Sequence, residues 1–194
     1  MSHTIVLTYD DGPSIELSEK IIRLLGEYNA RATFFILGHK IQSVGGAASN
    51  YVRFGHEIGS HSYRHLNAWK QSPLAVYRDI DKGLSLVRQL NAAPFFRPPH
   101  GKITLATLLQ VWMNKCRLAW WTIDSSDTWA TPKSVEAVLD EIRRQGGGVI
   151  LLHDHDRSGH PEREAYVLDL TRAILEMARN ERFRVCKLSA VYNA

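Results

Sequence analysis

"TIVLTYDDGP", Thr4 to Pro13, sets a short apolar run, two adjacent carboxylates and a turn in immediate succession. Ile5, Val6 and Leu7 form the run expected of a buried strand, and Gly12 and Pro13 supply turn chemistry behind Asp10 and Asp11. A segment of helical period follows from Ile15 to Tyr28, so the stretch reads as one strand-then-helix unit. That unit recurs. Further strands are expected in "ATFFIL", "HEIGSH", "FFRPP", "RLAWWTI", "GGVILLH" and "FRVCKLS", with helices near Ser43 to Phe54, Pro73 to Leu90, Thr104 to Asn114, Pro132 to Gln145 and Arg163 to Arg179. Ser72 before Pro73 and Thr131 before Pro132 each offer a capping oxygen ahead of a proline suited to the first helical position. Such repetition predicts an α/β fold whose parallel sheet closes into a TIM-barrel-like structure.

The chain has 194 residues, 44% apolar and 23% charged, which predicts one domain over residues 1–194 with an ample core. No apolar run approaches the roughly 20 residues of a membrane span, and no basic segment leads into an apolar one at the N-terminus. The expectation is a cytoplasmic chain without stable membrane insertion. The formal net charge of +4 comes from basic residues that alternate with acids along helical segments such as "EIRRQ", which reads as solvated helix faces and not as a nucleic-acid surface. Cys116 and Cys186 have no metal or disulfide spacing and are expected as buried thiols. No oligomeric state follows from this pattern.

In a parallel barrel, polar residues at the C-terminal strand ends line the active site. Here those ends carry Asp10 and Asp11, His61 with His65, Arg97, Asp124 with Asp127, and His153. In "HSYRH" the two histidines are four apart, which on a helical turn sets both imidazoles on one side. With one carboxylate from the aspartate pair they make two His and one Asp, the ligand type and count of an open Zn²⁺ site. Neighbours in an extended strand point apart, so one aspartate is free to bind a cation while the other faces the water it activates.

These residues carry a resemblance. The chain resembles the polysaccharide deacetylase family, carbohydrate esterase family 4, which includes the chitooligosaccharide deacetylase homology domain. "TYDDGP" is similar to the first family motif, "HSYRH" to the second, "RPPHG" to the third, "DSSDTW" to the fourth and "ILLH" to the fifth, in order along nearly the whole chain. "ATFFILG" and "GHEIGSH" fill the usual places between the first two. The resemblance implies a distorted (β/α)7 barrel. It implies a metal-dependent hydrolase that removes N-acetyl groups from N-acetylhexosamine-containing poly- or oligosaccharides, with one divalent metal, zinc first and cobalt as the alternative. Asp11, His61 and His65 would hold the metal, Asp10 would be the general base and His153 the general acid. Arg97 would orient and ionise Asp10, and Asp124, in preference to Asp127, would hold His153 protonated. The substrate-binding set would be the backbone N–H of His100, as a donor to the oxyanion, with Trp129, Leu151 and Asp127.

Two departures from the family pattern stand out. His100 replaces an aromatic residue, and Thr128 is inserted before Trp129. His155 and His160 are expected in a polar loop over the mouth of the site, His39 and His56 in structural roles, and Trp120 and Trp121 in core packing. Deformylase or O-acetyl esterase activity would use the same residues, and an inactive sugar-binding protein would share the scaffold.

Overall fold

The computed structural model describes residues 3–44, 46–155 and 160–192. Its elements run β1 (Thr4–Asp10), α1 (Glu16–Glu27), β2 (Thr33–Ile36), α2 (Gly38–Ser43), α3 (Ala47–Arg53), β3 (Glu57–Ser60), α4 (Pro73–Arg88) and β4 (Phe95–Phe96). After a 3-10 turn at Pro99–Gly101 come α5 (Leu105–Met113), β5 (Arg117–Leu118), β6 (Ile123–Asp124), α6 (Val135–Gln145), β7 (Gly147–His153), α7 (Pro161–Asn180), β8 (Arg184–Val185) and α8 (Ser189–Tyr192).

Every strand pairing is parallel, in the order β5-β4-β3-β2-β1-β7-β6. Central β1 pairs along its whole length with β7, and its other edge is shared by β8 at Thr4 and Ile5 and by β2 from Thr8 to Asp10. This is the distorted barrel, with its seam between β5 and β6. The expected single strand "RLAWWTI" is broken there into two short ones. The carbonyls of Ala119 and Trp120 instead accept from the Arg97 guanidinium, each at 3.4 Å.

Other boundaries also moved. Of the helix expected from Ser43 to Phe54, α3 covers Ala47–Arg53, and a short helix the sequence reading lacked, α2, precedes it at Gly38–Ser43. Ser72 caps α4 as its position suggests, accepting from the Ala75 N–H. Thr131 does not cap α6, which starts three residues later behind Ser134, whose hydroxyl accepts from the Ala137 N–H. Cys186 is buried and Cys116 only half-buried. Among the described residues no helix is long and apolar enough to cross a membrane.

Strand period sorts the core into two layers. Ile5, Leu7 and Tyr9 of β1 and Ile150 and Leu152 of β7 pack outward in the main cluster, which also holds buried residues of α1, α6 and α7. Val6 and Val149 face inward and fill the barrel floor with Phe35, Phe95 and Leu188. Continuing the inward row by twos gives Thr8 and Asp10 on β1, and Leu151 and His153 on β7. The barrel interior therefore changes from apolar to ionisable toward the C-terminal strand ends.

Candidate active site

Asp10 is the last residue of β1 and is 3% exposed. Arg97, immediately after β4, is fully buried and donates from one nitrogen, at 2.8 Å, to both Asp10 Oδ1 and Thr8 Oγ1. Its guanidinium lies over the Phe35 ring at 4.1 Å from the centroid. With Asp10 on one side and backbone carbonyls on the other, the cation is compensated without water. Thr8 is the missed member of this set. Its position two before Asp10 on the same strand face was the available signal.

Asp11 faces elsewhere, but the pleat is not the reason. Its φ of 71° turns the chain out of the strand, so the two carboxylates diverge through a left-handed residue. Asp11 Oδ1 lies 3.5 Å from His61 Nε2 and 3.3 Å from His65 Nε2. The expected helical turn in "HSYRH" is absent. Ser62 and His65 have φ of 70° and 61°, and the buried Asp79 carboxylate accepts from the Tyr63 and Arg64 N–H groups, fixing a loop that brings both rings together.

This trio fits a metal. The three ligand atoms all lie within 4.8 Å of one another. Asp11 Oδ1 is a buried oxygen that no hydrogen bond satisfies. His61 donates from Nδ1 to the Arg97 carbonyl at 2.7 Å, which leaves Nε2 as its ligating atom and fixes the ring. Burial and the neighbouring His61 push His65 down to about 3, so its imidazole is neutral, the form that ligates. Burial raises the Asp11 carboxyl, but His61, His65, His153 and His155 outweigh it and hold the group at about 2.

Across the cleft, His153 ends β7 and is paired with Asp127, not with Asp124 as expected. Asp127 accepts the His153 ring Nδ1–H at 2.8 Å through Oδ1 and the backbone N–H at 2.9 Å through Oδ2. Asp124 instead accepts from the Ser126 N–H at 2.7 Å and lines the cleft. Ser126 at φ 59° reverses the chain, which carries Asp127 beneath the end of β7 while Asp124 stays with its own strand. Asp127 is 1% exposed and so supports His153 and does not face a ligand, as its place in the expected substrate-binding set required. Burial opposes charge on His153, but Asp127, with smaller contributions from Asp10 and Asp11, raises it to about 9.

The cleft has a volume of about 420 Å³, and His100, Trp121, Asp124, Trp129 and Leu151 form part of its wall beside the ionisable groups. His100 stands at φ 55°, its ring 4.4 Å from that of His65. Trp129 is 63% exposed at the rim, despite the Thr128 insertion. Trp121 packs, half-buried, against the barrel-floor cluster while also lining the cleft, so the expected core role holds for it in part, whereas Trp120 is 40% exposed and does not fill one. His155 is half-buried, its Nδ1 3.9 Å from Asp11 Oδ2, while His160 is exposed ahead of α7; residues 156–159, between them, lie outside the described residues. His56 accepts the Ala32 N–H, and His39 pairs with the Tyr63 carbonyl, both structural roles.

Beneath the first motif lies a further group. Asp154 is fully buried and accepts from Ser18 at 2.7 Å and from the Tyr51 hydroxyl, and burial raises it to about 6 against those two hydrogen bonds. A Cβ on Gly12 would sit 2.4 Å from both Asp154 carboxylate oxygens, so only glycine fits behind Asp11. The charge directly after the apolar strand "VILLH" was the sequence signal for this residue.

Known proteins share this arrangement of chain. The family described as polysaccharide deacetylase matches residues 2–119. A peptidoglycan-N-acetylglucosamine deacetylase of Bacillus cereus is 33% identical over 161 residues, covering 79% of this chain and 75% of that one. A deacetylase of Listeria monocytogenes with the same activity in its name is 30% identical over 77% of this chain, which spans only 32% of that relative's length. Among solved structures, the Bc1960 peptidoglycan N-acetylglucosamine deacetylase superposes with a TM-score of 0.84 at 27% identity, over 97% of this chain and 87% of that one. With a family match over more than half of its length and 33% identity to a named deacetylase across 79% of the chain, the chain belongs to the polysaccharide deacetylase family.

Proposed function

We propose that the protein hydrolyses the N-acetyl group of an N-acetylhexosamine residue in a poly- or oligosaccharide, releasing acetate and a free amino sugar. One observation carries this reading: a carboxylate hydrogen-bonded by Arg97 and an imidazole held charged by Asp127 face one cleft with an Asp-His-His trio. That is a candidate base and a candidate acid on one cleft.

Asp11, His61 and His65 are the residues that hold a divalent cation, zinc or cobalt by ligand type. Bound there, such an ion supplies Lewis acidity to an acyl oxygen and to water. Asp10 takes a proton from the attacking water as its oxygen bonds to the acetyl carbon. Arg97 donates to Asp10 Oδ1 and so fixes the direction of its other oxygen. The backbone N–H of His100 donates to the developing oxyanion. As the carbon–nitrogen bond breaks, His153 gives its Nε2 proton to the departing amine, while Asp127 stabilises the charged ring before that transfer and keeps Nδ1 protonated after it. Trp129 and Leu151 supply apolar wall beside the acyl group.

The test is product analysis by mass spectrometry on a panel of N-acetylated, N-formylated and O-acetylated sugars with Zn²⁺ or Co²⁺ supplied. Acetate and free amine in equal amounts from the N-acetylated members support the reading. Turnover confined to formamides or O-acetyl esters replaces it, and oligosaccharide binding without turnover refutes it.

A further inference from the structure

Helix α5 turns its apolar face to solvent. Leu105, Leu108, Leu109, Trp112 and Met113 follow the i, i+3, i+4, i+7, i+8 spacing of one helix face, which ordinarily packs on a core. Here that face is the open one: Leu105 is 85% exposed and Trp112 77%. The residues the helix buries are Thr107 and Gln110, with Ala106 and Val111 against a small apolar cluster. Gln110 is satisfied by the Tyr77 carbonyl and by Asn114, so the inward polar side is anchored and the helix is not free to roll over. Trp69, 67% exposed, extends the patch, its indole donating to the Ile103 carbonyl.

The surroundings of this patch are basic. No acidic residue occurs between Asp81 and Asp124, and of the cations in that stretch Arg88, Lys102 and Lys115 border α5 or Trp69, whereas Lys82 stacks on Tyr63 and Arg117 reaches Tyr192. Lys102 stacks over the Trp69 ring at 4.0 Å, and Arg88 reaches across to Asn114 at the end of α5. An exposed ridge of Leu and Trp inside a cationic border has the chemistry of a helix that lies in a lipid–water interface.

We propose that α5 docks this protein on an anionic lipid surface, with Leu105, Leu108, Leu109 and Trp112 in the acyl boundary and the bordering Lys and Arg at the headgroup phosphates. A second copy of the chain fits less well. A nine-residue ridge about 13 Å long offers little of the roughly 800 Å² per partner in a stable interface, and a two-fold contact sets the cationic border against itself. Docking here has a positional consequence. Pro98, His100 and Gly101 line the cleft just before Lys102 leads into α5, so the lipid surface lies beside the cleft mouth and favours a glycan presented from it. The attachment itself does not depend on the deacetylase reading, because no exposed residue of α5 lines the cleft.

The experiment is co-sedimentation of the full chain with vesicles of phosphatidylcholine alone or mixed with phosphatidylglycerol, alongside analytical ultracentrifugation without lipid. Binding to the mixed vesicles is expected, weakening as salt rises. Leu105→Glu and Trp112→Glu should each lower vesicle affinity by about tenfold or more, with the circular dichroism spectrum and the cleavage of soluble substrate unchanged. Should either variant fail to fold, Lys102→Glu with Lys115→Glu tests the cationic border in its place. Equal binding to both vesicle types, no binding to either, or affinity unaltered by these changes overturns the proposal. A lipid-free dimer dissociated by Leu105→Glu also overturns it, because the ridge would then belong to a second copy.

Discussion

Asp127→Asn isolates the pairing that sequence reasoning assigned to Asp124. In the native protein the Asp127 charge carries His153 to about 9, against a burial effect that alone drives the imidazole below its ordinary value. Removing the charge leaves burial opposed only by the smaller effects of Asp10 and Asp11, so the ring should fall toward its ordinary value of about 6.5. The alkaline limb of the kcat/KM profile, where the acid loses its proton, should move down from about 9 by at least 2 units. At pH 8 the protonated fraction then drops from about nine-tenths to a few per cent, a loss of about 30-fold before any misorientation of the ring. The sign for stability is the same. A histidine raised by its partner contributes stability that is complete below the unfolded value and lost as pH rises through about 9, worth about 3 kcal/mol at the low-pH end. The asparagine also turns an N–H₂ group toward one of two donors, the ring Nδ1–H or the backbone N–H, which costs about 1–3 kcal/mol more. The assay is initial-rate measurement across pH on an N-acetylated oligosaccharide, with thermal melting on the same samples. Asp124→Asn is the control and should leave the limb in place. A limb that moves in the Asp124 variant and stays in the Asp127 variant would refute the pairing.

Single substitutions at His61 and His65, each to alanine, should strip the protein of a divalent ion that elemental analysis otherwise finds near one equivalent, and unchanged metal content would reassign the site. Asp10→Asn should lower turnover by about 10²-fold or more while metal content persists, since Arg97 still has an amide oxygen to donate to; near-normal turnover would remove Asp10 as the base. Gly12→Ala places a methyl 2.4 Å from a carboxylate that Ser18 and Tyr51 pin in the core, and should cost about 1–3 kcal/mol, a fall of several degrees in melting temperature. An unaltered melting point would mean that Asp154 is free to move aside.

The strand ends were legible because two rules overlap there. Period-two burial marks a strand, and an ionisable residue at its C-terminal end has a solvent-facing reason to exist only over a barrel mouth. Asp10 and His153 satisfy both and line one cleft, with Arg97 buried behind Asp10. What stayed hidden depends on chain reversals. Ser62, His65, His100 and Ser126 all stand in the left-handed region without being glycine, and nothing in hydropathy marks such positions. "HSYRH" therefore read as a helical turn, and Asp127, one reversal beyond Asp124, read as the lesser candidate. Helix α5 shows the same limit in another form. Its spacing gives the stripe, but only the anchoring of Gln110 by Tyr77 and Asn114 tells which way the stripe points.

The inward row of β1, Val6, Thr8 and Asp10, also shows why the site is built this way. A barrel of this kind fills its interior with branched apolar side chains, and Val6 obeys that pattern. Thr8 and Asp10 depart from it for a single partner, the fully buried Arg97. An apolar trio of equal volume would cost no desolvation and would serve stability at least as well. What it lacks is a fixed charge. The Arg97 guanidinium fixes the Asp10 carboxylate by a hydrogen bond, and the same residue accepts the Nδ1–H of His61 on its carbonyl, so one position holds both the base and a candidate metal ligand. Loss of the Arg97 guanidinium therefore leaves a buried anion unpaired, while a backbone shift at Arg97 turns His61, and the two failures are separable because only the second alters metal content.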